Sequence, residues 1–187
     1  MIKIIDNFLD DEEFIKIESI FFKQSENRPY LENEDQQKDF PWYFRNSTSY
    51  NPKHKNHVDT ITNYQFVHSF FASHQCLSPF YDNLVPIFDK LGIKALLRCK
   101  ANMQMRTEKI VERELHQDRP NNCNPDEDPY TIAVYYLNTN DGYTRFENGK
   151  KVESIANRMA IFSPKLKHAS TTCTNQKRRL VLNMNYY

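Results

Sequence analysis

Glycine is nearly absent from this sequence: Gly92, Gly142 and Gly149 are the only three in 187 residues. Neither GxGxxG nor GxxxxGKS/T can be written anywhere in it, which excludes the glycine-rich loops that cradle dinucleotides and nucleoside phosphates. Long apolar runs are also missing, and no stretch approaches the about 18 residues a membrane-spanning helix needs. The opening MIKIIDNFLDDEEF carries acids where a secretory signal would need an apolar run. The expectation is therefore a soluble, cytoplasmic protein with no membrane partner. Cys76, Cys99, Cys123 and Cys173 are widely spaced without a CxxC, so free thiols are expected rather than disulfides or a thiolate zinc site. Excess charge is lacking too. A net charge of +1 with both signs spread along the chain gives no electrostatic case for a nucleic-acid partner.

What is present is aromatic. Apolar residues make up only 39%, but 13 Phe and 11 Tyr can each bury a large area. The length suits one domain, residues 1–187, around a single hydrophobic core. Residues 2–5 read as a short strand. A helix is predicted from Asp10, which can cap it with Glu13 three residues on, and Phe14, Ile17, Ile20 and Phe21 recur at helical spacing. Residues 23–60 are polar and proline-containing and read as a long irregular connection. A strand over 64–71 precedes a helix predicted from Ser78-Pro79 to Gly92, with serine as cap, proline in the first turn and glycine as stop. From Ile93 to Thr107 the pattern is strand-like. TIAVYYLN (131–138), the NDG turn at 140–142, a hairpin over 144–155 around Asn148-Gly149, MAIF (159–162) and RLVLNMNYY (179–187) follow. Helices first and short strands after predict an α+β domain, a β-sandwich or barrel with helices packed on one side.

His116-Gln117-Asp118 is the first point of chemical interest. In extended chain, residues i and i+2 face the same way, so both side chains can reach one ion. A histidine from a later strand would complete two imidazoles and one carboxylate, a set that suits Fe(II) and leaves positions open for substrate and dioxygen. An HxD alone is weak, and His57-Val58-Asp59 is a second one. Context separates them. His168 follows His116 by 52 residues, and Arg178 and Arg179 come 10 and 11 positions later, opening a strand. The arginine-bearing strand has no counterpart after His57, which together with Asp59 reads as polar loop or helix start. His54, His68 and His74 read as surface or satisfied core histidines, Trp42 as packing, and the acids at 126–128 as a solvated loop.

HQD, YYLN, DGYTRF, NRMAIFSPKLKHAS and QKRRLVLNMNYY, in this order and spacing, resemble the 2-oxoglutarate/Fe(II) oxygenases of the prolyl-hydroxylase-like branch, in particular small stand-alone oxygenases of phage and bacterial genomes. The resemblance covers residues 93–187 firmly and the N-terminal helices loosely. It implies a double-stranded β-helix (jelly-roll) core over about 93–187 with the N-terminal helices packed on one sheet. It also implies Fe(II), 2-oxoglutarate as cosubstrate and ascorbate as a candidate reductant. The activity implied is a dioxygenase that couples decarboxylation of 2-oxoglutarate to succinate with hydroxylation of an unidentified small-molecule or peptide substrate, prolyl by analogy. If the source is a phage, the host cytoplasm is the compartment. His116 and Asp118 match the proximal ligand pair and His168 the distal ligand. A basic residue on the last strand matches the group that binds the far carboxylate of 2-oxoglutarate, and two candidates stand side by side. Alternation groups Arg179 with Val181, Asn183 and Asn185, and Arg178 with Leu180, Leu182 and Met184. The first set carries the polar groups expected in an anion pocket, which favours Arg179. Tyr136 matches the tyrosine that touches the same carboxylate. Asn102, on the strand before the metal pair, is a further cosubstrate candidate, with Arg106 as the alternative inward residue. Asp141-Gly142 stands where the family usually has a glycine pair, a change the turn should survive. The turn-rich insert at 119–129 is expected near the metal, at the substrate entrance. The rival reading is a metal-binding, cupin-like jelly roll without 2-oxoglutarate turnover.

Overall fold

The computed structural model describes residues 1–22, 40–47, 63–127 and 129–187. The strands are β1 (Ile2–Ile5), β2 (Tyr43–Arg45), β3 (Gln65–Ala72), β4 (Gln75–Cys76), β5 (Leu96–Met105), β6 (Thr131–Tyr136), β7 (Tyr143–Phe146), β8 (Lys151–Glu153), β9 (Arg158–Phe162), β10 (His168–Ser170) and β11 (Arg178–Tyr186). The helices are α1 (Asp11–Phe22) and α2 (Val85–Leu91). Two antiparallel sheets result. The larger runs β1-β9-β6-β11-β5-β3-β2, with β4 on β3, and the smaller runs β10-β7-β8. The segment before β6 extends the smaller sheet through bridges from Glu112 to Thr171 and from His116 to His168.

Each face of the large sheet has its own core. On the outer face, α1 and α2 bury Ile17, Phe21, Ile87 and Phe88 against Phe70, Cys99, Ala101, Met103, Leu180, Leu182 and Met184. On the inner face, Ile132, Val134, Tyr136, Ala160, Phe162 and Val181 meet Phe146 and Val152 of the small sheet. Covered on both sides, β6 is a nearly continuous apolar run and β11 is buried along almost its whole length. This is the α+β, double-stranded β-helix architecture with helices on one sheet. No helix among the described residues is long and apolar enough to cross a membrane.

Local chemistry explains the element boundaries. The Asp10 carboxylate accepts from the Glu13 amide at 2.8 Å, and the Asp10 carbonyl accepts from the Phe14 amide at 2.9 Å, which starts α1 as predicted. The helix predicted over 78–92 is instead split. A 3-10 turn at Tyr81–Leu84 leads into α2 at Val85–Leu91. Pro86 has no amide hydrogen and is tolerated only in a first turn, so the α-helical stretch begins beside it. Gly92 ends the helix in the left-handed region at φ 68°. The hairpin of β7 and β8 turns at Gly149, φ 81°, as expected. Within the stretch read as irregular connection, Tyr43–Arg45 forms an edge strand on β3; residues 23–39 and 48–62, with His54, His57 and Asp59, lie outside the described residues. The Trp42 ring packs on Phe21 and Phe40. His68 is buried with both ring nitrogens engaged, by the Pro41 carbonyl and the Ser78 hydroxyl, and His74 is exposed. The four cysteines are free thiols.

Candidate active site

A pocket opens between the two sheets. His116, Asp118 and His168 line it, together with Lys100, Asn102, Gln104, Thr144, Arg179 and Asn183. His116 lies in extended chain that pairs with β10, each residue of the His116–His168 bridge donating its amide to the other's carbonyl at 3.0 Å. The bridge sets the two imidazoles side by side, with ring centroids 4.7 Å apart. Asp118, two residues on, projects the same way. One nitrogen or oxygen atom from each of the three lies within 4.8 Å of the others.

Asp118 is held from three sides. Its Oδ1, 3.8 Å from His116 Nε2, accepts from the Arg98 guanidinium at 2.9 Å. Its Oδ2 accepts from the side-chain amides of Asn183, at 2.9 Å, and Asn185, at 3.3 Å. The Tyr130 hydroxyl donates to its carbonyl, tying down the chain where the 119–129 insert returns to β6. Burial alone would raise the carboxyl pKa, but Arg98 and the flanking His168 and His116 outweigh it and hold the group well below the usual carboxylate range. Burial pushes His168 down, to about 4. At neutral pH it is the uncharged imidazole a metal requires. Two imidazoles and an ionised carboxylate form a donor set that fits a divalent ion such as Fe(II).

The other end of the pocket belongs to Arg179, 1% exposed. Its Nε donates to Ser154 Oγ at 2.6 Å and one terminal nitrogen donates to Thr144 Oγ1 at 3.0 Å. The guanidinium lies 5.5 Å from the centre of the Tyr136 ring, whose hydroxyl donates to the same Thr144 oxygen at 2.8 Å. All these partners are neutral, and no carboxylate among the described residues pairs with Arg179. Burial accordingly lowers its pKa from the ordinary value. Gly142 makes room for this side chain. A β-carbon at that position would stand 2.6 Å from Arg179 Cδ and 2.7 Å from the Thr172 carbonyl oxygen. Its neighbour Asp141 pins the loop opposite, accepting from the Thr174 amide at 2.7 Å and from the Thr174 hydroxyl.

The other sequence candidates separate cleanly. Arg178 is on the outer face, its guanidinium 4.6 Å from the Phe22 ring centre and donating to the Phe21 carbonyl at 3.4 Å. Arg106 is exposed and donates to the Thr174 carbonyl, so it is not the inward residue. Asn102 lines the pocket, and its buried Oδ1 has no hydrogen-bond partner. Asn183 and Asn185, grouped with the anion pocket on sequence, serve the Asp118 carboxylate instead. Sequence reasoning missed Arg98, Lys100, Thr144 and Ser154. The signal for the first two was the alternation in LLRCKANMQM, where Arg98, Lys100, Asn102 and Gln104 occupy one face and Cys99, Ala101 and Met103 the other.

No family model matches the sequence, and no curated protein does. Solved structures do. An oxidoreductase of the 2OG-Fe(II) oxygenase family from Burkholderia pseudomallei aligns over 99% of this chain and 84% of its own, at TM-score 0.64 and 14% identity. The fold is that of the 2OG-Fe(II) oxygenases. A prolyl hydroxylase from Trichoplax adhaerens, solved with a hypoxia-inducible-factor peptide, aligns over 99% of this chain and 83% of its own, at TM-score 0.54 and 16% identity. A viral collagen prolyl hydroxylase from Paramecium bursaria Chlorella virus-1, solved with 2OG, aligns over 98% and 93%, at TM-score 0.52 and 12% identity. These alignments include the described N-terminal elements, where the resemblance in sequence is loose, as well as the strands from β5 onward.

Proposed function

We propose that this protein is an Fe(II)- and 2-oxoglutarate-dependent oxygenase. The observation that carries the reading is the pairing of two features in one pocket. His116, Asp118 and His168 converge at one end, and a buried arginine without a carboxylate waits at the other. His116, Asp118 and His168 would hold the metal, and Arg179, assisted by Thr144 and Tyr136, would receive the far carboxylate of 2-oxoglutarate. Asn102, with an unpaired oxygen on the wall between them, is the remaining cosubstrate contact. When bound, iron and 2-oxoglutarate supply the oxidising chemistry, in which decarboxylation to succinate is coupled to transfer of an oxygen atom from dioxygen to a C–H bond.

The chain's own contribution is position and charge. Ser154, Thr144 and the Tyr136 ring hold the Arg179 guanidinium in one orientation before any ligand arrives, so little ordering remains to be done on binding. Arg98, Asn183 and Asn185 orient the Asp118 carboxylate and keep it ionised. The apolar packing of Phe146 and Phe162 against His168 keeps water from that side of the site. Ascorbate as reductant belongs to the same reading. A peptidyl prolyl substrate is the first candidate, by likeness to the hydroxylases above.

Anaerobic addition of Fe(II) and then 2-oxoglutarate tests the proposal, through the visible charge-transfer band of a 2-oxo acid chelated to iron. The band is expected for the wild-type chain and is expected to vanish in His168→Ala. Folded wild-type protein that binds iron without developing the band on adding 2-oxoglutarate would favour the cupin-like alternative.

A further inference from the structure

Lys100 is the cation in the pocket that the proposed chemistry does not use. It stands on the inner face of β5, paired across the sheet with Asn183 of β11 and Ser69 of β3, and it lines the same cavity as the three candidate ligands. Among the described residues it makes no ion pair. The charges around it are Arg98, Arg45 and Asp118, and Asp118 is already engaged by Arg98 at 2.9 Å. Desolvation first, with help from the two arginines, lowers its pKa to about 8 against the pull of Asp118.

This inference rests on the function proposed above. Under that reading, 2-oxoglutarate cannot supply the missing negative charge. Its far carboxylate is taken by Arg179, which pairs with Gln104, two inner positions along the ladder from Lys100. Its near carboxylate is taken by the metal. Among the described residues no counter-charge is left for Lys100, and a second ligand that enters beside the metal position would supply one. We propose that the substrate oxidised at this site carries an anionic group, a carboxylate or a phosphate, which Lys100 receives. A charge-assisted contact in a partly desolvated pocket discriminates strongly against a neutral analogue, so Lys100 sets specificity rather than catalysing.

The test uses the full chain loaded with Mn(II) and saturated with 2-oxoglutarate, with trifluoroacetate as the anion probe and trifluoroethanol as its neutral counterpart. Fluorine NMR reads the relaxation that Mn(II) imposes on a probe bound near it. Trifluoroacetate, not trifluoroethanol, is expected to show saturable enhancement. The enhancement should weaken at least about tenfold in Lys100→Met and persist in Lys100→Arg. Affinity for 2-oxoglutarate should stay within about twofold in both variants, which also reports that the pocket is folded. Equal enhancement in Lys100→Met, or none in the wild type, overturns the proposal. A roughly tenfold loss of 2-oxoglutarate affinity in Lys100→Met overturns it as well, by assigning Lys100 to the cosubstrate. If wild-type protein fails to bind 2-oxoglutarate at all, the underlying functional reading falls instead.

Discussion

At one end of the pocket the anion Asp118 already has its partners, one guanidinium and two amides. At the other end the cation Arg179 has only hydroxyl groups and a ring face. Both groups are buried, so the difference is not one of solvent. A buried charge without a counter-ion is costly. Under the proposed function a ligand carboxylate completes the pair, and the bound state then gains what the free state lacks. The Asp118 end is built differently. Its charge is fixed in advance, which suits the metal-holding role proposed for it, since a carboxylate that swung or took up a proton would hold a metal poorly.

Four substitutions sharpen or break this contrast. The largest effect is expected from His168→Ala. Loss of an outer partner typically costs a metal site about 10–100-fold in affinity, and loss of a ligand should exceed that. Mn(II) titration by electron paramagnetic resonance reads it directly. Arg179→Met should weaken 2-oxoglutarate about 100-fold, the equivalent of two charge-assisted hydrogen bonds, without affecting metal affinity. The same variant should melt no lower than wild type without ligand, because it removes an unpaired buried charge; calorimetry with and without 2-oxoglutarate separates the two effects. Gly142→Ala places a methyl group against Arg179 Cδ and the Thr172 carbonyl. The arginine must shift, so 2-oxoglutarate affinity should fall about tenfold, with a stability loss of about 1–3 kcal/mol measurable by urea denaturation. Arg178→Met should leave 2-oxoglutarate affinity unchanged within about twofold, since that side chain lies against Phe22 on the far face of the sheet. A tenfold loss there would erase the distinction drawn between the two arginines.

Much of this site was legible in sequence because strand periodicity is a strict rule. Alternation alone puts Arg178 and Arg179 on opposite faces, and the apolar company of Arg178 names the face that packs on α1. The i and i+2 spacing of His116 and Asp118 likewise aims both side chains into one pocket. What alternation does not contain is register. Asn183 and Asn185 read as anion-pocket residues because they share a face with Arg179, yet the pairing of β11 with β5 sets them beside Lys100 and Arg98, at the Asp118 level. Alternation marks Arg98 as inward, but its pairing with Asp118 was hidden for the same reason, as that partner lies on a segment reached only through the fold. The edge strand β2 was missed because Tyr43–Arg45 is exposed throughout and shows no alternation. The break at Pro86 came from reading Ser78-Pro79 as the helix start when a second proline sat deeper in the same segment.

The most direct test of the account is the affinity of the Mn(II)-loaded chain for 2-oxoglutarate against that for 2-oxobutyrate, which keeps the chelating end and lacks the far carboxylate. Wild-type protein should prefer 2-oxoglutarate by about 100-fold, and Arg179→Met should bind the two with nearly equal affinity. Equal affinities in the wild type would contradict the claim that Arg179 is an arginine awaiting a carboxylate.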